Sequence, residues 1–298
     1  MSFIQAHKQR WGVEPICRVL QIAPSSYYAA TNRPASARRR RDGELRVAIG
    51  RVWDEHRQVY GADKVWAQLN RTGTRVARCT VERLMRELGL RGVVRGQRSV
   101  RTTLGNAASD RPADLVARRF RAPAPNHLWV ADLTYVKTRS GWVYVAFIVD
   151  VVSRFVVGWH AARSLRADLA LDALEMALWR RHAKQLSGLV HHSDRGTQYL
   201  AVRYTERLAE AGVVPSVGSR GDSYDNALAE SFNGLYKTEL IRHAGPWQGL
   251  DDVEYATLEY LDWFNHRRLH GELGLVPPVE FEAAYHQQTA AARPAVSH

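Results

Sequence analysis

The chain has 298 residues, of which 45% are hydrophobic and 24% are charged, and its net charge is +12. This length predicts roughly two or three domains. The sequence contains no run of about eighteen apolar residues, so no membrane span is predicted. The N-terminus also lacks the apolar segment of a secretion signal. Only two cysteines are present, Cys17 and Cys79, which argues against a disulfide framework or a cysteine-based zinc site. The composition therefore predicts a cytoplasmic protein without membrane contact.

The positive charge is concentrated in the N-terminal part of the chain. Residues 1–121 contain 25 Lys and Arg against 10 Asp and Glu, whereas residues 122–298 contain 17 against 20. This asymmetry predicts a basic region that binds a polyanion, joined to a body with a different role. The alternative is an arginine-rich composition that only aids solubility. An anionic membrane surface is disfavoured because no basic helix has a broad apolar face.

Residues 1–44 are predicted to form a basic helical segment. Residues 13–30 have the pattern of two short helices with a turn near Ala23-Pro24. A run of four arginines then precedes a predicted helix of about a dozen residues, in which Leu45 and Ile49 share an apolar face. The arginines of this run are candidate DNA contacts: Arg38, Arg39, Arg40 and Arg41.

Residues 45–95 have the pattern of a helix-turn-helix. Two short amphipathic helices flank a turn, and Gly89 is the expected C-cap of the second helix. In such motifs the second helix often contacts DNA, although many helical hairpins bind nothing. The candidate contacts are Arg83 and Arg86 on the predicted outer face, and Arg78.

The chain then changes character. Residues 96–122 show no sustained period and are rich in Arg, Ala, Pro, Ser and Thr, which predicts a linker. Residues 123–240 begin with β-branched and aromatic segments that predict three strands in an antiparallel meander. Helix, strand, helix and strand follow, which predicts a mixed α/β core.

The C-terminal part is predicted to be helical from about Asp225, with a break at Gly245-Pro246 and an end at Pro277-Pro278. We assign residues 241–286 to a helical extension and residues 287–298 to a disordered tail.

Three carboxylates in the predicted core indicate a metal site. Asp132 lies within an apolar strand, where an unpaired buried carboxylate is costly, and Asp194 ends a second apolar strand. Glu230 lies on the polar face of a predicted helix. Converging carboxylates repel unless a cation lies between them, and an all-oxygen set favours Mg²⁺ or Mn²⁺ over zinc. The alternative is that these three residues have no shared role, because Asp and Glu are common and any three of them can be selected after the fact. The same polar face carries three more residues: Asn226, Asn233 and Lys237.

Several segments, in order, resemble the catalytic domain shared by retroviral integrases and DDE transposases. The 35 residues between Asp194 and Glu230 match the D-D-35-E spacing of that group. The upstream segments extend the resemblance to the second reading-frame product of the insertion-sequence-three family transposases, from about Phe3 to Tyr285. The segments that carry the resemblance are VEPICRVLQIAPSSYYAA, YGADKVWAQLNRTGTRVARCTVERLMRELGLRG, WVADLTYV, HHSDRGTQY, DSYDNALAESFNGLYKTEL and WFNHRRLHGELGLVPP.

The resemblance implies a ribonuclease-H-like catalytic core with a mixed five-stranded sheet, preceded by an all-α helix-turn-helix region. It implies that Asp132, Asp194 and Glu230 hold two Mg²⁺ or Mn²⁺ ions. Water would then free a 3′-hydroxyl at a transposon end, and this hydroxyl would attack a second phosphodiester. No GxxxxGK phosphate loop is present, in agreement with a reaction that needs no ATP. The chain cannot build the HHCC zinc module of retroviral integrases, which favours a bacterial transposase.

The same resemblance implies DNA as the partner, both transposon ends and target, and a homo-multimer on DNA because two ends must be handled together. It also implies an upstream reading-frame product, either fused by frameshifting or separate, and a cytoplasmic, nucleoid-associated location. Two other functions compete with this one: a metal-dependent nuclease that does not join strands, and a non-catalytic DNA-binding protein.

Residues around the predicted site carry further expectations. His192 lies two positions before Asp194, so on a strand it points to the same side. We expect it to support the pocket wall, with the positioning of a metal-bound water as the alternative. We expect Asn226, Asn233 and Lys237 to contact the DNA end, with a solvated lysine as the alternative for Lys237.

Two aromatic sets have simpler explanations. The spacing of His266 and His270 is compatible with zinc on a helix, but a DNA-facing or core role is favoured because no third ligand is nearby. Five tryptophans are expected to be core aromatics, because stacking on nucleic acid would need an exposed groove: Trp129, Trp142, Trp159, Trp179 and Trp263.

Overall fold

The computed structural model of the chain describes residues 1–32, 34, 36–94, 116, 121–182, 186, 188–194, 196–218 and 227–292. In these ranges the chain forms a set of N-terminal helices, a five-stranded sheet with helices on both faces, and a group of C-terminal helices. None of the helices in the described ranges is both long enough and apolar enough to cross a membrane.

In the described part of the chain, six α-helices precede the sheet and six follow its first three strands. The N-terminal helices are α1 (Ser2–Trp11), α2 (Val13–Val19), α3 (Pro24–Asn32), α4 (Ala37–Glu55), α5 (Ala62–Arg71) and α6 (Arg78–Glu87). The later helices are α7 (Ala167–Arg180), α8 (Val202–Glu210), α9 (Ala227–Tyr236), α10 (Arg242–Ala244), α11 (Leu250–His266) and α12 (Pro278–Ala291). A π-helical turn, Lys237–Ile241, joins α9 to α10.

The sheet confirms the mixed five-stranded core that the sequence predicts. Its strands are β1 (Leu128–Thr138), β2 (Gly141–Asp150), β3 (Val156–Ala162), β4 (Val190–Ser193) and β5 (Val214–Val217), in the spatial order β3-β2-β1-β4-β5. The first three strands pair antiparallel, whereas β4 pairs parallel to β1 and β5 parallel to β4. The central strand β1 therefore joins a local meander to two strands that arrive through helical crossovers.

Alternation along the strands divides the core between the two faces of the sheet. On one face, Trp129 and Ala131 of β1 pack with α7 and α8. On the other face, Val130 and Val136 of β1 pack with α9 and α11. Close approach of α7 depends on Gly158 of β3, because a Cβ at that position would lie 2.1 Å from the Ala173 carbonyl oxygen. Any other residue there would push α7 away from the sheet.

The helix-turn-helix region packs directly against the C-terminal helices. Its buried residues from α4, α5 and α6 belong to the same hydrophobic cluster as α9 and α11. The fully buried Tyr60 accepts a hydrogen bond from the Leu269 backbone N–H at 2.7 Å. Arg71 binds Glu280 of α12 at 2.7 and 2.8 Å. The N-terminal DNA-binding candidate and the C-terminal extension are thus one packed unit.

The expected boundary between residues 44 and 45 is wrong, because it falls inside α4. The helix begins at Ala37, so Arg38–Arg41 form its first turns instead of preceding it. The Ser36 hydroxyl accepts a hydrogen bond from the Arg39 N–H at 3.2 Å and caps the helix. Arginine is itself a good helix former, which the charge-based interpretation overlooked.

The expected helix end at Pro277-Pro278 is also wrong. Pro278 is the first residue of α12, a position that proline tolerates because its missing N–H has no partner there anyway. The helix continues to Ala291, so residues 287–291 are helical and not part of a disordered tail. Residues 293–298, and the predicted linker apart from residues 116, 121 and 122, lie outside the described residues.

Candidate active site

Asp132 lies on β1 immediately beyond the segment that pairs with β4. The β1–β4 pairing ends at Ala131 and Ser193, so the residues that follow, Asp132 within β1 and Asp194 directly after β4, lie side by side. Because the two strands are parallel, both carboxylates emerge at the same edge. The register of one strand pair therefore brings together two acids that are far apart in the sequence.

Hydrogen bonds orient both aspartates. The Asp132 Oδ1 atom accepts from the Leu133 backbone N–H at 2.8 Å, and its Oδ2 atom accepts from the Asn233 side-chain amide at 2.8 Å. The Asp194 Oδ1 atom accepts from the Gly196 N–H at 2.9 Å. Both residues are half-buried, and these hydrogen bonds give each carboxylate a fixed direction.

Glu230 lies in the first turn of α9 and is exposed. The helix packs against β1, and Asn233, one turn after Glu230, makes the hydrogen bond to Asp132. This contact places the N-terminal half of α9 above the two aspartates. Asn226, the fourth residue of the predicted polar face, lies outside the described residues.

The three acids act on one another electrostatically. Burial raises the pKa of Asp132 to about 7, with the charge of Asp194 as the next cause and that of Glu230 as a smaller one. The pKa of Asp194 is raised by burial as well. Within the described ranges, however, no three His, Cys, Asp or Glu side chains are close enough to hold an ion as they stand. The charges of Asp194 and Glu230 reach Asp132, but the three acids are not grouped closely enough to hold one ion as they stand.

Asn233 has a different environment from the one expected. It is only 8% exposed, and its amide binds Asp132, so it does not present its side chain to DNA. The Asn233 Oδ1 atom is buried and has no hydrogen-bond partner among the described residues. A spacing pattern cannot reveal this, since it shows that residues share a face but not what faces them.

Lys237 is not a solvated lysine. It is half-buried, and its Nζ atom lies 4.5 Å from the centroid of the Tyr135 ring. Burial and the charge of Arg242 lower the pKa of Lys237, while Asp132 raises it. Lys237 therefore lies in the electrostatic field of the carboxylates.

His192 is fully buried on β4, and its Nδ1 atom lies 2.9 Å from the Ser216 hydroxyl of β5. This contact ties β4, which ends directly before Asp194, to its outer neighbour β5. His192 is thus buried between two strands, and its supporting role in the pocket wall stays a prediction.

The arginines expected to bind DNA differ in what they contact. Arg83 lies between helices, where it binds Asp42 of α4 at 2.9 and 3.0 Å and Glu87 at 2.8 Å. The expected outward-facing position of Arg83 is therefore wrong, because a carboxylate on the neighbouring helix holds it. The other two arginines of α6 form exposed ion pairs, Arg78 with Asp63 and Arg86 with Glu82.

The arginine run at the start of α4 is more open. All four side chains are exposed. Arg41 binds Glu44 at 3.1 Å, and its second contact, to the Arg75 carbonyl oxygen, is 3.5 Å long. The basic surface of this region thus lies on the first turns of α4.

Two expectations about aromatic residues are resolved by burial. His270 is buried and packs edge-on to Phe264 at 4.6 Å, which confirms a core position. His266 is exposed and contacts Asp262. Of the five tryptophans, Trp142 and Trp179 are 48% and 81% exposed, so the expectation that they are core aromatics is wrong.

Three family models match the chain. A model described as Integrase core domain matches residues 122–223, and a second with the same description matches residues 211–278. A model described as HTH-like domain matches residues 39–98. Among solved structures, the HTLV-2 integrase catalytic core domain in complex with magnesium, in its trimeric form, has a TM-score of 0.43 and 19% identity, covering 54% of this chain and 99% of that one.

Relatives of known name match over nearly their whole length. The chain is 56% identical over 272 residues to a protein of insertion sequence element IS986/IS6110 from Mycobacterium tuberculosis, covering 90% of this chain and 98% of that one. It is 32% identical over 285 residues to transposase InsF for insertion sequence IS3A from Escherichia coli K12, covering 94% of this chain and 97% of that one. The chain therefore belongs to the insertion-sequence-three family of DDE transposases, enzymes of DNA transposition and integration.

Proposed function

We propose that this transposase cuts phosphodiesters at the ends of its element and joins the freed 3′-hydroxyl to target DNA, with Asp132, Asp194 and Glu230 as its catalytic carboxylates. The observation that supports this assignment is the β1–β4 register, which sets Asp132 beside Asp194 beneath the helix that carries Glu230. The electrostatic influence of Asp194 and Glu230 on Asp132 supports it as well.

The residues at this edge fit a divalent cation of the Mg²⁺ or Mn²⁺ type. Their donors are carboxylate oxygens, with the buried and unpartnered Asn233 Oδ1 atom beside them. A bound cation would also favour the charged form of Asp132, which burial disfavours. We propose two ions, which when bound activate the attacking oxygen and stabilise the leaving one. Glu230 would complete the ligand set by moving toward the aspartates.

The neighbouring residues would then have distinct tasks. Asn233 holds the Asp132 carboxylate in one direction through its amide. Lys237 would neutralise a phosphate of the DNA end, since it is a half-buried cation on which the charge of Asp132 acts. His192 holds β4 against β5 and so fixes the base of Asp194. Asn226 is proposed as a further contact to the DNA end.

DNA binding outside the site is assigned to the basic N-terminal region. The exposed arginines Arg38–Arg41 would bind backbone phosphates, and Arg78 and Arg86 can exchange their exposed acid partners for phosphates. Arg83 is instead proposed to brace α6 against α4.

We further propose that the enzyme works as a homo-multimer on DNA, in the bacterial cytoplasm at the nucleoid, together with the product of an upstream reading frame. Two element ends must be held together during joining, and phosphate contacts alone carry no sequence information. Fused or separate, the upstream product would supply the contacts that select the ends.

A strand-transfer assay with a pre-cleaved end tests the proposed function. The full chain is incubated with a duplex that carries the element's terminal repeat and a free 3′-hydroxyl, and with a plasmid target. We expect joined products that require Mg²⁺ or Mn²⁺ and disappear when the metal is chelated. Nicked plasmid without joined product would instead identify a nuclease.

A further inference from the structure

The β1–β2 hairpin extends beyond the rest of the sheet next to the carboxylates. On one side, β4 pairs only with residues 128–131 of β1. On the other side, β3 pairs with β2 only from Tyr144 onward. The tip is nevertheless anchored, because the backbone N–H groups of Arg139 and Ser140 donate to the carbonyls of Trp247 and Gln248 at 2.9 and 3.1 Å. The hairpin is therefore a fixed projection.

One face of this projection carries two large aromatic side chains that nothing in the described chain covers. Tyr135 is 41% exposed and Trp142 is 48% exposed, and their rings meet edge-to-face with centroids 5.3 Å apart. In the strand register Trp142 lies directly opposite Lys137, which is two residues after Tyr135. The rings of Tyr135 and Trp142 are therefore diagonal neighbours on the same face of the hairpin. Helix α7 packs on β2 and β3 of the same sheet but leaves this end of the hairpin exposed.

The surroundings of the two rings are positively charged. Lys137 and Arg139 are exposed on the hairpin, and the segment from Leu133 to Tyr144 contains no acid. Lys237 reaches the Tyr135 ring around the edge of β1 that β4 leaves unpaired. Three residues along a strand cover about 10 Å, so Tyr135 lies about that far from Asp132 along β1. Alternation puts the Tyr135 side chain on the α7 face of the sheet and Asp132 on the α9 face, and Lys237 spans the edge between the two faces. The surface thus combines aromatic faces, cations and proximity to the carboxylates.

We propose that Tyr135 and Trp142 form a stacking platform for unpaired nucleobases of the DNA end, with Lys137 and Lys237 beside the adjoining phosphates. Aromatic side chains flanked by cations are the usual means of binding single-stranded nucleic acid, since every base offers a π-face. The bases of an intact duplex keep these faces inside the stack, so the platform selects frayed or terminal bases. The proposal rests on the proposed function, because it assigns the platform to DNA held at Asp132, Asp194 and Glu230.

Fluorescence of 2-aminopurine reports stacking without any reaction. The base is placed at successive positions near the end of the terminal-repeat duplex, and fluorescence is read with the full chain in the absence of metal. We expect the wild-type protein to quench 2-aminopurine fluorescence more at the terminal, frayed positions of this duplex than at its internal positions. Trp142→Leu and Tyr135→Leu should lose this quenching, whereas Trp142→Phe and Tyr135→Phe should keep most of it. Leucine retains apolar area but removes the π-face.

Strand transfer supplies the second measurement. Stacking is worth ~1–3 kcal/mol per base, so each leucine variant should reduce transfer by roughly 5- to 150-fold, and the phenylalanine variants should restore it. Trp179→Leu is the matched control, because Trp179 is an 81% exposed tryptophan on α7. Its activity and quenching should equal those of the wild type.

Two outcomes would overturn the platform. One is wild-type quenching and transfer in the leucine variants. The other is equal quenching at all duplex positions, which would indicate backbone contact without stacking. A wild type that quenches but fails to join strands would contradict the proposed function and leave the platform intact.

Discussion

Asp132 combines partial burial, two hydrogen bonds and two neighbouring acids, and each of these acts on its charge. Burial and the neighbouring carboxylates raise its pKa to about 7, whereas the Leu133 N–H and the Asn233 amide oppose the rise. A carboxylate in this position has a high cost as a structural residue. A cation that favours the charged form explains why an acid stands in the strand at all.

Removing one carboxylate charge should abolish catalysis without removing DNA binding. We expect Asp132→Asn, Asp194→Asn and Glu230→Gln each to eliminate cleavage and joining, because the substitutions are nearly isosteric but weaken metal binding. Gel-shift affinity should stay close to that of the wild type, since the basic surface is elsewhere. If one of these variants kept near wild-type turnover in Mg²⁺, the substituted residue would not be a metal ligand.

Asn233 should control how tightly the site takes metal. We expect Asn233→Leu to shift the Mg²⁺ concentration for half-maximal strand transfer upward by about 10- to 100-fold, the usual cost of losing a group that orients a ligand. High metal concentration should rescue much of the rate. Asn265→Leu is the control, because Asn265 is another buried asparagine, bonded to the Val156 backbone. It should lower thermal stability and leave the metal dependence unchanged, and an identical response of both variants would refute the role of Asn233.

Among the secondary-structure elements, periodicity predicts the strands and the helices of the core, because an alternating or 3.6-residue pattern reflects burial within one element. The three-strand meander and the strand that ends in Asp194 follow from such patterns. Contacts between residues on different elements do not follow from such patterns. Neither the Arg83–Asp42 pair between α6 and α4 nor the Asn233–Asp132 contact has a local signal, since each depends on how elements pack.

The exposed tryptophans show that the burial of a single residue also depends on how other elements pack. Trp142 lies on a strand, where a large aromatic residue is normally buried, and it is exposed only because β3 and α7 stop short of it. Trp179 is near the end of α7 with no element above it in the described chain. Residue type predicts burial on average, while the extent of neighbouring elements decides the individual case.

The junction between α4 and α11 should be sensitive to acid. His56 is buried where these helices meet; its Nδ1 atom accepts from the Trp263 indole N–H at 3.2 Å, and its ring stacks on Tyr60 at 4.2 Å. Burial, followed by the charges of Arg267 and Lys64, lowers the pKa of His56 to about 4 from 6.5. The folded state therefore resists protonation, and the stability that neutral His56 contributes is full above pH 6.5 and is lost as the pH falls toward 4.

Thermal unfolding across this range tests the junction. We expect His56→Gln to melt below the wild type at pH 7.5, and the gap between their melting temperatures to narrow as the pH falls from 6.5 to 4. His286→Gln, a change at an exposed histidine of α12, should show a gap that does not vary with pH. A constant gap for His56→Gln would assign the acid sensitivity to other buried groups, such as His191, whose pKa burial also lowers to about 4.

In the whole molecule, the boundary between the basic and the acidic part of the chain does not coincide with a boundary in the hydrophobic core. The charge asymmetry separates residues 1–121 from the rest, but the hydrophobic cluster joins α4, α5 and α6 to α9 and α11. DNA binding by the basic region is therefore best measured in the full chain, where its partner helices are present. Phosphate contacts should dominate the affinity of that region.

The salt dependence of binding should identify the arginines that contact phosphate. We expect a combined Arg38→Gln, Arg39→Gln and Arg40→Gln variant to reduce the slope of log affinity against log salt by roughly 0.9 for each phosphate that the protein no longer neutralises. Arg83→Gln is the control: it should lower stability, because Asp42 loses its partner, and leave the slope unchanged. An unaltered slope in the triple variant would move the DNA-binding surface away from the first turns of α4.

The position of β1 also sets the order in which the enzyme becomes competent during synthesis. Its pairing with β2 is local and can form as soon as the hairpin leaves the ribosome, whereas its pairing with β4 must wait for the crossover through α7. The helix of Glu230 and the C-terminal helices that share its core emerge later still. A growing chain thus exposes its basic N-terminal region before the carboxylates are assembled, and the core that α4, α5 and α6 share with α9 and α11 can form only after the C-terminal helices have left the ribosome.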